Sequence, residues 1–134
     1  MNLGFKRRFV PLVRDGDKTH TIRGGKRWRV GMRGDLWENM RGPKTSARPQ
    51  TLIFRAPVVD VEDIQIRLNE DEWEIVIEGN KLEIDEAEAF ARRDGFLSLL
   101  DMCNFWSVEH GTGGVVDFDG QVIHWDYERR SAEK

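Results

Sequence analysis

Residues 15–23 read Asp15-Gly16-Asp17-Lys18-Thr19-His20-Thr21-Ile22-Arg23. Asp15-Gly16 closes a segment in which Phe9, Leu12 and Val13 recur at helical spacing. Pro11 suits only the first turn of that helix, because it lacks the N–H that an interior helical residue donates. Thr19 to Arg23 is rich in β-branched residues and predicts a strand, ended by Gly24-Gly25. A short helix therefore feeds a strand through a charged turn. Along the strand Thr19, Thr21 and Arg23 project to one face, and His20 and Ile22 to the other.

Working outward, Met1–Phe5 reads as extended. Gly31 and Gly34 bracket a turn, and Asp35–Met40 reads as a strand. Residues 41–50 (RGPKTSARPQ) form a polar, proline-containing loop rather than a domain linker. Gln50–Phe54, Val58–Leu68 and Trp73–Glu78 are strand-like, with a turn at Gly79-Asn80. Asp85, with Glu88 three residues on, predicts the start of a helix whose apolar stripe is Ala87, Phe90 and Ala91. Gly95 stops it. Phe96, Leu99, Leu100, Cys103 and Trp106 mark a second helix over Leu97–Glu109. Asp119-Gly120 predicts a two-residue hairpin turn between Val115–Phe118 and Gln121–Tyr127. About six strands and about three short helices imply an α+β fold with a small curved sheet or barrel.

The 134 residues suffice for one domain with its own core. The single cysteine, Cys103, excludes an internal disulfide framework and a cysteine-based zinc site. No apolar run approaches the ~20 residues that span a bilayer, so no membrane role is expected. Lys6, Arg7 and Arg8 interrupt any signal-peptide core, and a cytoplasmic location is expected. The net charge of −3 conceals a strong asymmetry. Residues 1–48 carry 13 Lys/Arg against 4 Asp/Glu, a net of +9, while residues 49–134 carry 8 against 20, a net of −12. Either a basic face attracts an anion such as RNA, or the two halves neutralise each other in space.

The turn at Lys18 gathers an ammonium, hydroxyls and a guanidinium. A lysine whose pKa is lowered by burial and cationic neighbours can take a proton from a threonine, whose oxygen then attacks a carbonyl. The same residues could simply contact phosphate, or form a solvated turn.

Four stretches carry a resemblance. They are Gly16-Asp17-Lys18-Thr19-His20-Thr21-Ile22-Arg23, Gly31-Met32-Arg33-Gly34-Asp35-Leu36, Ala91-Arg92-Arg93-Asp94-Gly95-Phe96 and Val122-Ile123-His124-Trp125. Together, in this order from about residue 5 to 127, they resemble an ASCH domain. The resemblance implies a small β-barrel related to the PUA fold, with a cleft for RNA or a nucleoside. Some ASCH members are amidohydrolases that deacylate N4-acetylcytidine with a Lys, a Thr and a Glu. By position the resemblance implies Lys18, Thr21 and Asp94. Asp94 is one methylene shorter than Glu, so Glu78 or Glu88 stands as the alternative acid. Beside these, Thr19, Arg23 and Trp28 are read as the substrate contacts. No cofactor and no metal are expected. RNA binding without catalysis and ribonuclease chemistry remain as alternatives, and two histidines converging near Lys18 would favour the latter.

The other polar and aromatic residues have plainer readings. His20 faces away from Thr21 and reads as a packed or surface histidine, His124 as core-flanking, and His110 as a helix cap. Trp37, Trp106 and Trp125 read as core and Trp73 as packing. Trp28 lies between Arg27 and Arg29, in a loop too polar for core, where it could stack on a base. Cys103 reads as buried rather than reactive.

Overall fold

In the computed structural model, which describes residues 1–40, 42, 44, 45 and 49–132, one long strand organises the chain. This strand, β4 (Thr51–Leu68), covers 18 residues that the sequence divides in two around Pro57. The chain does not stop at Pro57; it changes partner there. Arg33 to Glu38 (β3) pairs antiparallel with the first part of β4, and Val116–Trp125 (β7) with the second, from Val58 onward. The register slips between Val58 and Asp60, a bulge that suits the missing proline N–H.

Asn2–Phe5 (β1) lies parallel to β3 on its outer side. His20–Gly24 (β2) lies antiparallel to β7, while Trp73–Ile77 (β5) pairs with the end of β4, followed by Asn80–Lys81 (β6). The result is an α+β fold on a mixed seven-stranded sheet that does not close on itself. The expected barrel of about six strands is therefore corrected. β1 and β2 sit at separate ends of the pairing path and share no ladder.

The predicted hairpin at Asp119-Gly120 is also corrected, since both residues lie inside β7. Gly120 is there for closeness. A Cβ at this position would meet the Arg23 carbonyl oxygen at 2.3 Å and the Phe118 ring at 2.7 Å. The glycine lets β2 approach the middle of β7.

Three helices flank the sheet. Val10–Asp15 (α1) follows a 3-10 turn at Arg7–Phe9 and ends at Gly16, with φ +83°. Ile84–Arg93 (α2) is capped two residues before the expected Asp85, with Glu83 and Glu86 exchanging side-chain and backbone bonds. Glu88 instead accepts from the Leu99 N–H at 3.1 Å. Leu99–His110 (α3) is capped by Ser98, which accepts from Asp101 N–H. Leu99, Met102 and Trp106 bury its inner face, while Leu97 and Leu100 stay exposed, Leu100 against expectation. Of the predicted loop at 41–50, residues 41, 43 and 46–48 lie outside the described ones.

Every second residue of β4 enters the core on either side of the bulge: Phe54, Ala56 and Val58, then Ile64, Ile66 and Leu68. Trp28 joins that core at 4% exposure, which corrects its placement in a polar loop. Its N–H and C=O are both held by the buried Gln121 side chain, at 3.0 and 3.1 Å. A buried amide with both ends paired fixes the loop before β3 against β7. Trp37, read as core, is only half-buried, and its indole N–H donates to Asn2 Oδ1 at 3.0 Å.

Candidate functional site

The turn between α1 and β2 drives Lys18 inward. Gly16 reverses the chain in a left-handed conformation, and Lys18 N–H donates to Leu12 C=O at 3.0 Å. The side chain then runs beneath Gly95 and over the Phe9 ring, its Nζ 5.2 Å from the ring centroid.

The other half of the pair comes from the end of α2. Phe96 N–H bonds to Ala91 C=O and Gly95 N–H to Arg92 C=O, closing the helix in a complete Schellman turn. Gly95 takes φ +101°, and a Cβ there would press on Phe9, Leu12 and Lys18 at 3.0 to 3.3 Å. Helix closure leaves the Asp94 carbonyl without a helical partner. Lys18 Nζ takes it, donating to Asp94 O at 2.5 Å and to Asp94 Oδ1 at 2.6 Å. Both side chains are almost wholly buried, at 3% and 6% exposure, so this is an interior ion pair.

Burial acts on both partners. It lowers the Lys18 pKa below its ordinary value, with Arg23 adding to the effect and Asp94 opposing it. For Asp94 burial pushes upward, but the Lys18 charge and the His20 contact outweigh it and the pKa falls. The carboxylate is thus held ionised, while the amine beside it is brought closer to neutrality.

Thr21 follows on β2, buried at 4%. Its hydroxyl oxygen accepts from Arg23 Nη1 at 3.0 Å. Arg23 is anchored by Nη2 on Gly4 C=O at 2.6 Å, and its guanidinium lies 5.2 Å from the Phe5 centroid. The Thr21–Arg23 bond puts both side chains on one face of β2, as the alternation requires.

Lys18, Thr21, Arg23 and Asp94 all line one cavity of about 1010 Å³. Arg7, Arg8 and Arg27 also line it, as do Phe105, Trp106 and His110 from α3. Trp28 contributes to the lining although it is buried; Thr19 does not reach it. Glu78 is exposed on the β5–β6 turn and bonds to Asp63 N–H, and Glu88 is spent on Leu99. Asp94 is therefore the carboxylate brought to Lys18, and the shorter side chain closes the distance. The Schellman turn brings the whole residue up to the amine.

Of the packed and surface placements left open for His20 the structure takes the packed one, and the ring meets the site from behind. Its Nε2 lies 3.3 Å from Asp94 Oδ1, without the alignment of a hydrogen bond. Its ring stacks on Phe90 at 5.2 Å and stands 5.2 Å from the His124 ring. The two histidines converge, but neither lines the cavity. His124 Nε2 meets Glu62 at 2.6 Å, and Asp60, Glu62 and His124 form a group whose ligand atoms lie within 4.8 Å. The sequence reading missed this group because His124 lies 62 residues from Glu62 in the chain. Residues from α3 at the cavity wall were also missed; no sequence pattern separates them from ordinary helix surface.

Charge neutralisation between the halves is partly realised. Lys6 pairs with Glu109, Arg8 with Asp101 and Lys26 with Asp63, at 3.2, 2.6 and 2.9 Å. Arg7 and Arg27 line the cavity without an ionic partner among the described residues. Among the same residues no helix is long and apolar enough to cross a membrane.

No family model, no curated protein and no solved structure matches this chain.

Proposed function

We propose that the chain is an amidohydrolase that removes the acyl group from N4-acylated cytidines. The observation that carries this reading is the buried Lys18–Asp94 pair opening onto the same cavity as Thr21. Burial lowers the pKa of the Lys18 amine and so favours its action as a base, and the Thr21 hydroxyl on the same cavity lining supplies the nucleophile. The order of motifs resembling the ASCH family supplies the substrate class.

Thr21 Oγ1 attacks the acyl carbonyl, and its proton passes to neutral Lys18 Nζ. Arg23 Nη1, already bonded to that oxygen, favours its negative charge as the proton leaves. Arg23 therefore acts on the nucleophile, with its other donors on Ile22 and Gly4 carbonyls. The tetrahedral intermediate collapses, the C–N bond breaks, and Lys18 returns the proton to the exocyclic nitrogen of cytosine. Water then cleaves the Thr21 ester, giving a free carboxylic acid and restoring the hydroxyl. Asp94 remains a carboxylate throughout and holds Nζ in place.

The test is incubation with N4-acetylcytidine and chromatographic detection of cytidine. Thr21→Ala and Lys18→Ala should each abolish turnover. Absence of cytidine with the wild-type protein rejects the reading.

Binding of RNA in the cavity is the second reading, favoured by Arg7 and Arg27 on its lining. Fluorescence anisotropy with a single-stranded RNA should then show affinity falling steeply with salt. A flat dependence rejects it.

A further inference from the structure

His20 stands one residue from the proposed nucleophile on the opposite face of β2, and the mechanism above does not use it. It is 3% exposed, and its Nε2 is one of two buried side-chain polar atoms without a hydrogen-bond partner among the described residues. A buried ring nitrogen left unpaired loses its hydration without a replacement bond. Asp94 Oδ1, the oxygen that already receives Lys18 Nζ, lies 3.3 Å from His20 Nε2. The imidazole cannot turn freely, because Phe90 stacks on it with an interplanar angle of 18°.

We propose that His20 is a positioning residue of the Lys18–Asp94 pair: its neutral imidazole presents Nε2–H to Asp94 Oδ1, and this contact tightens to a hydrogen bond when the cavity is occupied. Contacts of this kind are often long before a ligand binds. The donor takes up part of the carboxylate charge that would otherwise act on Lys18. The pair is thereby kept ordered without making the ammonium too stable to give up its proton.

The surroundings agree with a neutral ring. The titratable groups facing His20 are Asp94 from the end of α2, Lys18 from the turn before β2, and His124 from β7, with Glu62 of β4 behind it. Burial is the largest influence and lowers the His20 pKa; Lys18 and His124 add to this, and Asp94 opposes it. Protonation would place a second cation in a buried space that already holds Lys18.

The catalytic consequence rests on the amidohydrolase reading, but the structural claim does not. Two measurements on the full chain separate them. The first needs no substrate. Long-range ¹H–¹⁵N NMR of wild type should show His20 as the neutral Nε2–H tautomer between pH 6 and 8. The ¹³Cε resonance of Lys18 should titrate about one pH unit higher in His20→Leu than in wild type, and His20→Gln should restore the wild-type position, since its amide offers N–H where Nε2 was. A neutral Nδ1–H tautomer in wild type, or an unchanged Lys18 titration in His20→Leu, overturns the proposal. The second measurement is the pH profile of kcat on N4-acetylcytidine. Its acid limb should move upward in His20→Leu by the same amount and return in His20→Gln, with KM little changed. An unmoved limb overturns the catalytic part. If wild type turns over no N4-acetylcytidine, the amidohydrolase reading falls alone, and the NMR result still decides the role of His20.

Discussion

Lys18 Nζ lies 2.6 Å from Asp94 Oδ1, although 76 positions separate the two residues in the chain. The bond ties the entry of β2 to the exit of α2 inside the protein. Removing one charge leaves the other buried and unpaired, which typically costs ~3–5 kcal/mol. Asp94→Asn and Lys18→Met should each lower the urea midpoint substantially. The double variant Lys18→Met/Asp94→Leu should recover much of the loss, because neither charge is then stranded. Equal midpoints for wild type and Asp94→Asn would show that the pair does not bear on stability.

Acid should destabilise the fold in two stages. The His20 pKa is lowered by burial, so below its ordinary value near 6.5 the unfolded chain binds a proton that the folded chain does not. Stability therefore declines as pH falls from about 6.5 toward the folded value. The Asp94 pKa is also lowered, here because Lys18 and His20 outweigh burial. Its contribution is present above about 3.9 and is lost as pH falls through the still lower folded value. The shift on Lys18 acts at the other end: stability rises with pH between its lowered folded value and about 10.4. Urea unfolding curves collected from pH 3 to 8 should fall in the acid range, with the upper stage missing in His20→Gln.

The parts legible in the sequence are those set by local chemistry. Gly16 and Gly95 mark helix ends because each occupies a left-handed position, at φ +83° and +101°. The β2 alternation places Thr21 and Arg23 together because side chains repeat every two residues. Long-range choices were not legible. Pro57 looks like a strand boundary, yet β4 exchanges partners there and continues. Asp119-Gly120 looks like a hairpin, yet Gly120 serves contact with Arg23 from another strand. Trp28 looks exposed between two arginines, yet it packs in the core with its backbone held by Gln121, 93 residues away. The Lys18–Asp94 assignment was reached by resemblance, with Glu78 and Glu88 left open because Asp is one methylene shorter than the family's Glu.

Arg23 should affect chemistry more than binding. Its Nη1 touches the Thr21 oxygen that becomes negative, at 3.0 Å. Arg23→Gln should lower kcat on N4-acetylcytidine by about 10²-fold, the usual scale for losing one donor to a developing oxyanion. KM should change little. A rise in KM at constant kcat would instead assign Arg23 to holding substrate.

Gly120→Ala tests whether the site depends on the approach of β2 to β7. The added methyl would sit 2.3 Å from the Arg23 carbonyl oxygen and 2.7 Å from the Phe118 ring. The ring can turn aside, but the carbonyl belongs to the backbone of β2, so the strand itself must move. The register pairs Gly24 with Gly120 and Thr21 with Ile123, so displacement at one end of the ladder reaches the proposed nucleophile three residues along. Overpacking of this kind typically costs ~1–3 kcal/mol. The expected result is a lower melting temperature together with a fall in kcat greater than that of Gly79→Ala. Gly79 shares the fold but has open space around it and lies on the β5–β6 turn, so its alanine bears only the strain of φ +78°. Melting temperature and turnover measured for both variants separate a local clash beside the site from a general loss of stability. Equal losses of turnover in the two variants would mean that the position of β2 does not control Thr21.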